Sequence, residues 1–347
     1  MVRLLHITVS ATPSKYQHDL PGTAGIGRQP KCSCAESEKG PLLPLARRLR
    51  VVAVRIHVIL NPIAGSVKEA DATRERLQAL APEHLQVSEQ AGDAERFARE
   101  AAQNGAELIV SAGGDGTLNE VVNGLAAAGC NAALGLVPLG TGNDFARSIG
   151  IPNDLDAAME LLRKPQTRAV DLVRVSSDQV RYFVNVSSGG FSGVVDEKLT
   201  PEMKRTWGPL AYLRSAAAAF AELRGYTTKV ALDDAAPIEE DLYNVVIANG
   251  RYVAGGIPIA PEADVSDGLL DVVLISERGA AELAIVAAQI AVGKHIGSDA
   301  VIFKRAKKVE INSRPGMWFN VDGELIGNEP AVFELLPRAL QCVVGGE

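Results

Sequence analysis

Apolar and polar residues follow two different periods along this chain, and the change falls near residue 176. Over residues 51–175, runs of β-branched apolar residues alternate with stretches whose apolar positions recur every three to four residues. One such stretch covers residues 117–129. Its predicted apolar face consists of Leu118, Val121, Val122 and Leu125. Repeated alternation of strand and helix predicts crossover connections and a mostly parallel sheet.

After residue 176 the apolar runs shorten, and turn residues separate them. Segments such as "DLYNVVIANG", "LLDVVLISE" and "KKVEINS" predict the short strands of a mainly antiparallel second domain. Two helical stretches are expected within it, near Ala211–Arg224 and Ala280–Val292. The segment "MWFNVDGELIG" predicts a hairpin, because Asp322-Gly323 is a favoured two-residue turn.

The expected fold class is therefore α/β, with two domains. Residues 51–175 are predicted to form a Rossmann-like parallel α/β domain that binds a nucleotide, and residues 176–337 a β-rich substrate domain with a few helices. The last segment, about residues 338–347, is a candidate to return to the first domain. Residues 11–45 are rich in Pro, Gly, Ser, Lys and Gln without a period, so residues 1–50 are expected to be a disordered extension.

Composition narrows the function classes. The 347 residues include 35 Lys plus Arg and 42 Asp plus Glu, and the net charge of −7 argues against a dedicated nucleic-acid binder. No apolar run reaches the roughly 18 residues that a membrane-spanning helix needs. The four cysteines are scattered, which indicates a reducing compartment. Cys32 and Cys34 lack a nearby histidine or second cysteine pair, so a zinc site is not expected.

Three glycine-bearing turns follow predicted strands: Asn61–Ser66, Gly113–Thr117 and Gly140–Asp144. Ligands of parallel α/β sheets bind beyond the carboxyl ends of the strands. Because sequential strands usually lie close together, the three turns are expected to converge on one crevice.

The turn "GGDGTLNE" allows two interpretations. Thr117 and Glu120 have the spacing of a capping box, which is a purely structural device. Its glycines also leave main-chain amides open at a helix entrance, where a phosphate binds well. Asp115 would repel that phosphate unless a metal cation lies between them, which suggests a Mg²⁺-nucleotide site. In "PLGTGNDFAR" the device is repeated, with Thr141 and Asp144 again at capping spacing.

Together these segments resemble a known family. "NPIAG", "GGDGTLNEVVNGL" and "PLGTGNDFAR", in this order and spacing, are similar to the diacylglycerol kinase catalytic-domain family, which includes bacterial lipid kinases, sphingosine kinases and ceramide kinases. "NVSSGGFSG", "DGLLDV" and "VDGE" match its bacterial members. The resemblance covers roughly residues 54–344, although Gly-Gly-Asp-Gly-Thr alone is shared with NAD kinases.

The resemblance implies an ATP site and a catalytic centre. Asp115 would lie near the metal-bound phosphates, and Glu324, on its own merely a residue beside a hairpin turn, would be the general base that takes the proton of the acceptor hydroxyl. Asp322 is expected mainly to form the turn. Ser88 stands where family members commonly have threonine, and its hydroxyl is expected to serve. The implied ATP-binding residues are Asn61, Ser88, Gly113, Gly114, Asp115, Gly116, Thr117, Asn119, Glu120 and Thr141.

The acidic loop "ADVSDGLLD" is open to two interpretations. From its residues alone it is a solvated turn before a strand, or a set of oxygen ligands for Mg²⁺ or Ca²⁺. Bacterial relatives carry a structural Mg²⁺ here. By position, Asp267 would supply its carboxylate, and Asp264 and Leu269 their main-chain carbonyls.

Each of two segments with basic residues allows two interpretations. Met203–Tyr226 predicts either a core helix with a polar start or a lip that meets the membrane or acyl chains. Phe303–Lys308 predicts either a solvated strand edge or a second membrane-facing patch.

The sequence therefore predicts an ATP- and Mg²⁺-dependent lipid kinase that phosphorylates a lipid with a free hydroxyl, such as diacylglycerol. A soluble-substrate kinase related to NAD kinase and a non-catalytic nucleotide-binding regulator are the alternatives. The expected location is cytoplasmic and peripheral at the inner membrane face, with transient contact to the membrane surface and no nucleic-acid partner. The sequence leaves open whether the protein forms a homodimer.

Overall fold

The computed structural model of the chain describes residues 54–65, 67, 69–190, 225–327 and 330–346. The predictions for the extension over residues 1–50, for the helical stretch Ala211–Arg224 and for most of Met203–Tyr226 lie outside the described residues.

The first part of the described chain is a parallel sheet covered by helices. Its strands are β1 (Ile56–Leu60), β2 (His84–Val87), β3 (Leu108–Gly113) and β4 (Ala133–Pro138). Its helices are α1 (Ala70–Gln78), α2 (Asp93–Gln103), α3 (Asp115–Ala127), α4 (Asp144–Ser148) and α5 (Leu155–Arg163). The strands lie in the order β4, β3, β1, β2, and each neighbouring pair is parallel. The alternation of strand and helix is confirmed.

Burial explains why the central strands read as continuous apolar runs. Every residue of β3 is buried, because helices cover both faces of the sheet. On one face Ile109 packs with residues of α2 and α3, and on the other Val110 packs with Leu77 of α1. The predicted apolar face of α3 is confirmed, since Leu118, Val121, Val122 and Leu125 are all buried.

The second part is mainly antiparallel, as predicted, and continues the same sheet. The strands of this part that precede its helix are β5 (Thr167–Ser176), β6 (Val180–Phe183), β7 (Val186–Gly190), β8 (Tyr226–Leu232), β9 (Ile238–Ala248), β10 (Tyr252–Val253), β11 (Ile257–Pro258) and β12 (Leu270–Ser276). They are followed by helix α6 (Ala280–Ala291), which confirms the second helical stretch, and by β13 (Val301–Ala306), β14 (Lys308–Arg314), β15 (Phe319–Val321), β16 (Glu324–Ile326) and β17 (Ala331–Val343).

The long strand β17 runs through both parts of the molecule. Its first half pairs antiparallel with β14, and near its end Cys342 pairs with Leu134 of β4 in parallel. A bulge between these halves places Arg338 at φ 52, and the main-chain N–H of Arg338 donates to the carboxylate of Asp171 at 2.6 Å. The fully buried Asp171 also accepts the Gly268 amide at 2.8 Å, so one carboxylate fixes both the bulge and the acidic loop.

The predicted hairpin is confirmed. Val321 of β15 pairs with Glu324 of β16, and the two turn residues have positive φ angles, 45 for Asp322 and 94 for Gly323. Positive φ at both central residues is the requirement of the tight turn that suits a hairpin. Because β15 also pairs with β7, the hairpin places Glu324 at a defined position on the sheet.

Candidate active site

The three glycine-bearing turns meet at one edge of the parallel sheet. The side-chain amide of Asn61 donates to the hydroxyl of Thr117 at 3.0 Å, which joins the first turn to the second. A β-carbon on Gly65 would lie 2.6 Å from the hydroxyl oxygen of Thr141, so the first turn also packs against the third. These contacts arise because β1, β3 and β4 are neighbours and end at the same edge.

The glycines of these turns fall into two groups, according to what an added β-carbon would contact. A β-carbon on Gly140 would lie 2.5 Å from the α-carbon of Gly114, so the second and third turns pack backbone against backbone. At Gly113 the added atom would meet Thr117 at 2.4 Å. Gly116, in contrast, is exposed, and its β-carbon would meet nothing within 4 Å. Packing therefore requires Gly113, Gly114 and Gly140, whereas Gly116 faces open space.

Asp115 fixes the third turn to the second. One of its carboxylate oxygens accepts the amide of Asn143 at 2.8 Å, and the other accepts that of Asp144 at 3.0 Å. Burial raises the pKa values of both Asp115 and Asp144, and the charge of Asp115 raises that of Asp144 further, while main-chain donors and Arg147 partly offset these increases. The two turns thus concentrate negative charge where a cation would relieve it.

Asp144 carries an unused acceptor in this charge cluster. Its Oδ2 accepts the amide of Gly255 at 3.0 Å, whereas its buried Oδ1 has no hydrogen-bond partner within the described chain. A buried carboxylate oxygen without a donor is costly, and oxygen ligands are those that Mg²⁺ prefers. Together, Asp115 and Asp144 therefore have the donor chemistry for a divalent cation.

The capping-box interpretation of "GGDGTLNE" is wrong. Helix α3 begins at Asp115 with Gly114 before it, so Thr117 already lies inside the first turn and its side chain does not cap the helix. Glu120 instead accepts the main-chain amide of Ala94, near the start of α2, at 3.0 Å. The same interpretation fails at the third turn, because α4 begins at Asp144, directly after Asn143, and no side chain caps it.

Three other predicted ATP-site residues have different surroundings. Asn119 is buried, and its side-chain amide donates to the carbonyl of Val321 at 2.8 Å, which joins α3 to the hairpin. Ser88 follows β2, and its hydroxyl lies 3.4 Å from the Leu60 carbonyl, next to Asn61. Thr141 is exposed at the tip of the third turn. Their predicted roles toward ATP stay predictions.

Asp322 forms the hairpin turn and also holds a neighbouring segment of main chain through its side chain. Its carboxylate accepts three consecutive main-chain amides, from Val184 at 3.1 Å, Asn185 at 3.2 Å and Val186 at 2.8 Å. Burial raises its pKa to about 7 despite these donors, and the charge of Asp115 adds to the increase. The carboxylate of Asp322 thereby anchors the hairpin to the start of β7, and the charge of Asp115 in the second turn affects its protonation.

Glu324 is paired with a basic residue that the sequence did not indicate. Its Oε2 accepts hydrogen bonds from Nε of Arg181, at 3.1 Å, and from Nη2 of the same guanidinium. Nη1 of Arg181 donates to Glu95 at 2.9 Å. Arg181 lies 143 positions from Glu324 and 86 positions from Glu95 along the chain, so no local spacing signals this triad.

The acidic loop carries less concentrated charge than its sequence suggests. Asp264 accepts from the amide and hydroxyl of Ser266, and Asp267 accepts the amide of Leu269 at 3.0 Å. The other oxygen of Asp267 lies 3.7 Å from the guanidinium of Arg305. Among the described residues, no group of three or more His, Cys, Asp or Glu side chains is arranged to hold a metal. A site here would rest on one carboxylate and main-chain carbonyls.

The basic segment Phe303–Lys308 spans the end of β13 and the start of β14. In the described part of the chain β13 pairs only with β12, which makes it an edge strand with exposed Lys304 and Arg305. Lysine is common on such edges, where it prevents pairing with other chains. No helix within the described ranges is long and apolar enough to cross a membrane.

Comparison with known proteins agrees with this geometry. The family model for the diacylglycerol kinase catalytic domain matches residues 55–175, and the model for the YegS C-terminal NAD kinase beta sandwich-like domain matches residues 185–344. A diacylglycerol kinase of Bacillus subtilis (strain 168) is 32% identical over 299 residues, which are 84% of this chain and 97% of that protein. One from Staphylococcus epidermidis is 31% identical over 291 residues, 83% of this chain and 91% of its own.

The chain belongs to the diacylglycerol kinase catalytic-domain family. Two crystal structures from Bacillus anthracis str. Sterne share its fold, with TM-scores of 0.72 and 0.64 at 24% and 23% identity. They cover 84% of this chain and 95% and 97% of their own lengths, and the second is named a diacylglycerol kinase. The resemblance inferred from the motifs is confirmed, and family membership supports a kinase activity in general terms.

Proposed function

We propose that the chain is an ATP- and Mg²⁺-dependent lipid kinase that transfers the γ-phosphate of ATP to a hydroxyl of a lipid such as diacylglycerol. The observation that carries this proposal is the joining of the hairpin to the glycine turns. The Asn119 side chain binds Val321, and the charge of Asp115 reaches the adjacent Asp322. A nucleotide on the turns would therefore lie near the hairpin that bears Glu324.

The turns supply the chemistry for the nucleotide phosphates. The amides at the start of α3, together with its dipole, favour an anion, and Gly116 leaves room for one to approach. Asp115 and Asp144 would hold Mg²⁺, which neutralises phosphate charge when it is bound. Phosphoryl transfer depends mostly on positioning and charge neutralisation, which is the equipment present here.

Glu324 is the proposed general base. Its carboxylate takes the proton of the lipid hydroxyl as that oxygen forms a bond to the γ-phosphorus. The bond between the γ-phosphorus and its bridging oxygen breaks, and ADP leaves with that oxygen. A carboxylate at the end of a tight hairpin that is anchored by Asp322 has a restricted position, which such a base requires.

The acidic loop is proposed to hold a structural Mg²⁺. Its ligands would be the carboxylate of Asp267 and the main-chain carbonyls of Asp264 and Leu269. The chemistry of this oxygen set suits the ion. Arg305 stands close to the same carboxylate, so the ion and the guanidinium would share it.

Transfer of labelled phosphate tests the proposal. The protein is incubated with γ-labelled ATP and Mg²⁺ in mixed micelles that contain diacylglycerol, ceramide, sphingosine or no lipid, and in parallel with NAD. Label in one of the lipids is the expected result. Label in NAD supports the soluble-substrate kinase instead. ATP binding without any acceptor-dependent consumption supports the non-catalytic regulator.

A further inference from the structure

Arg181 is the point where two acidic side chains from distant parts of the chain meet. It lies on β6, whereas Glu95 belongs to the first turn of α2 and Glu324 opens β16. Its guanidinium donates from Nη1 to Oε2 of Glu95 and from Nε and Nη2 to Oε2 of Glu324. Each of the three guanidinium nitrogens therefore donates to one of the two carboxylates, which restricts the orientation of the group.

Exposure differs sharply between the partners of this pair. The side chain of Arg181 is 16% exposed, whereas that of Glu324 is 44% exposed. Both hydrogen bonds from Arg181 end on Oε2 of Glu324, and Oε1 accepts no hydrogen bond from the residues that the structure describes. One oxygen of the carboxylate is thus held from the protein side, and the other is left for a ligand.

We propose that Arg181 is the positioning residue of Glu324, holding its carboxylate so that Oε1 receives the proton of the acceptor hydroxyl. This inference rests on the proposed function of Glu324 as the general base. Arg181 acts through Glu324 and not on the reacting atoms. Glu95 holds Arg181 from the opposite side, and its position in the first turn of α2 favours its negative charge.

The arrangement restricts the position of the Glu324 carboxylate. Two donors on one oxygen limit the rotamer of a side chain that would otherwise move freely at the surface. The other charged groups around the hairpin are Glu95, Asp322 and Asp178, whose carboxylate accepts the amide of Gly327 at 2.9 Å.

The decisive experiment measures kcat together with the KM values for ATP and for the lipid acceptor in the full-length protein. In Arg181→Gln we expect kcat to fall by roughly ten-fold with the KM for ATP within about two-fold of the original, because the base is misplaced while the nucleotide site is intact.

Two further variants make the result specific. Glu95→Gln removes the carboxylate that holds Arg181 from the opposite side, so its kcat is expected to fall less than that of Arg181→Gln. Arg181→Lys keeps the charge but loses the planar fork, and it is expected to restore only part of the lost kcat. Arg163→Gln, which breaks an exposed ion pair with Glu160 on α5, is the matched control and is expected to keep the original kcat.

Separate results overturn the inference and the proposed function. A kcat that stays within about two-fold of the original in folded Arg181→Gln, while Glu324→Gln is inactive, overturns the positioning role and leaves the base intact. If Glu324→Gln retains its turnover, the proposed function of Glu324 fails, and the inference fails with it. Thermal unfolding of each variant identifies those that fold.

Discussion

The side-chain amide of Asn119 donates to the main-chain carbonyl of Val321 across 202 positions of sequence, at 2.8 Å. Asn119 lies two residues after Thr117 in the first turns of α3, and Val321 immediately precedes the hairpin turn. Asn123 adds to this junction, since its own amide donates to the Tyr182 carbonyl at 2.9 Å. Helix α3, which begins at the second glycine turn, is thereby bound to β6, which carries Arg181, and to the hairpin that carries Glu324.

Loss of the Asn119 amide is expected to impair turnover as well as stability. Asn119→Ala leaves the Val321 carbonyl without this donor, which should lower the free energy of unfolding by about 1–2 kcal/mol. We expect kcat to fall several-fold further than ATP affinity, because the hairpin is released while the glycine turns persist. Steady-state kinetics and urea denaturation measure both effects.

Asn131→Ala is the matched control, because Asn131 is exposed and bonds only locally to the Ala128 carbonyl at 2.8 Å. It is expected to retain both turnover and stability. Equal ATP affinity and equal kcat in Asn119→Ala and the original protein would contradict the coupling between α3 and the hairpin.

Gly116 and Gly140 provide a matched pair that separates ligand binding from packing. Gly116→Ala adds a methyl group to open space within α3, so the free energy of unfolding should rise by up to about 1 kcal/mol. If the phosphates approach this turn, its affinity for Mg²⁺-ATP should nevertheless fall about ten-fold or more. Calorimetric titration with Mg²⁺-ATP and thermal unfolding test the two effects.

Gly140→Ala is expected to behave oppositely. Its methyl group would overlap the α-carbon of Gly114 and the Asn143 side chain, which should destabilise the fold by about 1–3 kcal/mol. A stable Gly116→Ala with unchanged nucleotide affinity would place the phosphates away from this turn.

Asp322 is expected to make stability depend on pH. Its folded pKa of about 7 lies above the value of about 3.9 in an unfolded chain, so the folded state binds the proton more tightly. The stability due to protonation is complete below about pH 4 and is lost as the pH rises to about 7. Asp322→Asn cannot titrate, so the original protein should lose stability relative to it, on the order of 2 kcal/mol between pH 5 and pH 8.

Urea denaturation of both proteins at the two pH values measures this difference. Since Asp115, Asp144 and the histidines are present in both, their titration largely cancels in the comparison. A difference in unfolding free energy that is the same at pH 5 and pH 8 would contradict the raised pKa.

The sequence predicted correctly those elements that depend on residues close together in the chain. The apolar face of α3 follows from a period of 3.6 residues, and the hairpin follows from the two residues Asp322 and Gly323. The capping box failed because spacing alone does not say where a helix begins. The contact between Gly114 and Gly140 lets the chain turn early, so α3 begins two residues before Thr117.

The triad of Glu95, Arg181 and Glu324 and the anchor at Asp171 had no signal in the sequence. Each brings together residues more than 80 positions apart in the chain, and a lone arginine or aspartate on a strand looks like any other. The resemblance to a family supplied Glu324 but not the residues that hold it. Tertiary pairing, which single-sequence patterns do not encode, brings these groups together.

The central claim is that Glu324 accepts the proton of a lipid hydroxyl during transfer from ATP. Its most direct test is the rate of label transfer from γ-labelled ATP to diacylglycerol in mixed micelles by Glu324→Gln, with Mg²⁺-ATP affinity measured on the same preparation. We predict a rate at least about 100-fold below that of the original protein, with ATP affinity within about two-fold. A Glu324→Gln protein that phosphorylates the lipid at a rate close to the original would contradict the account.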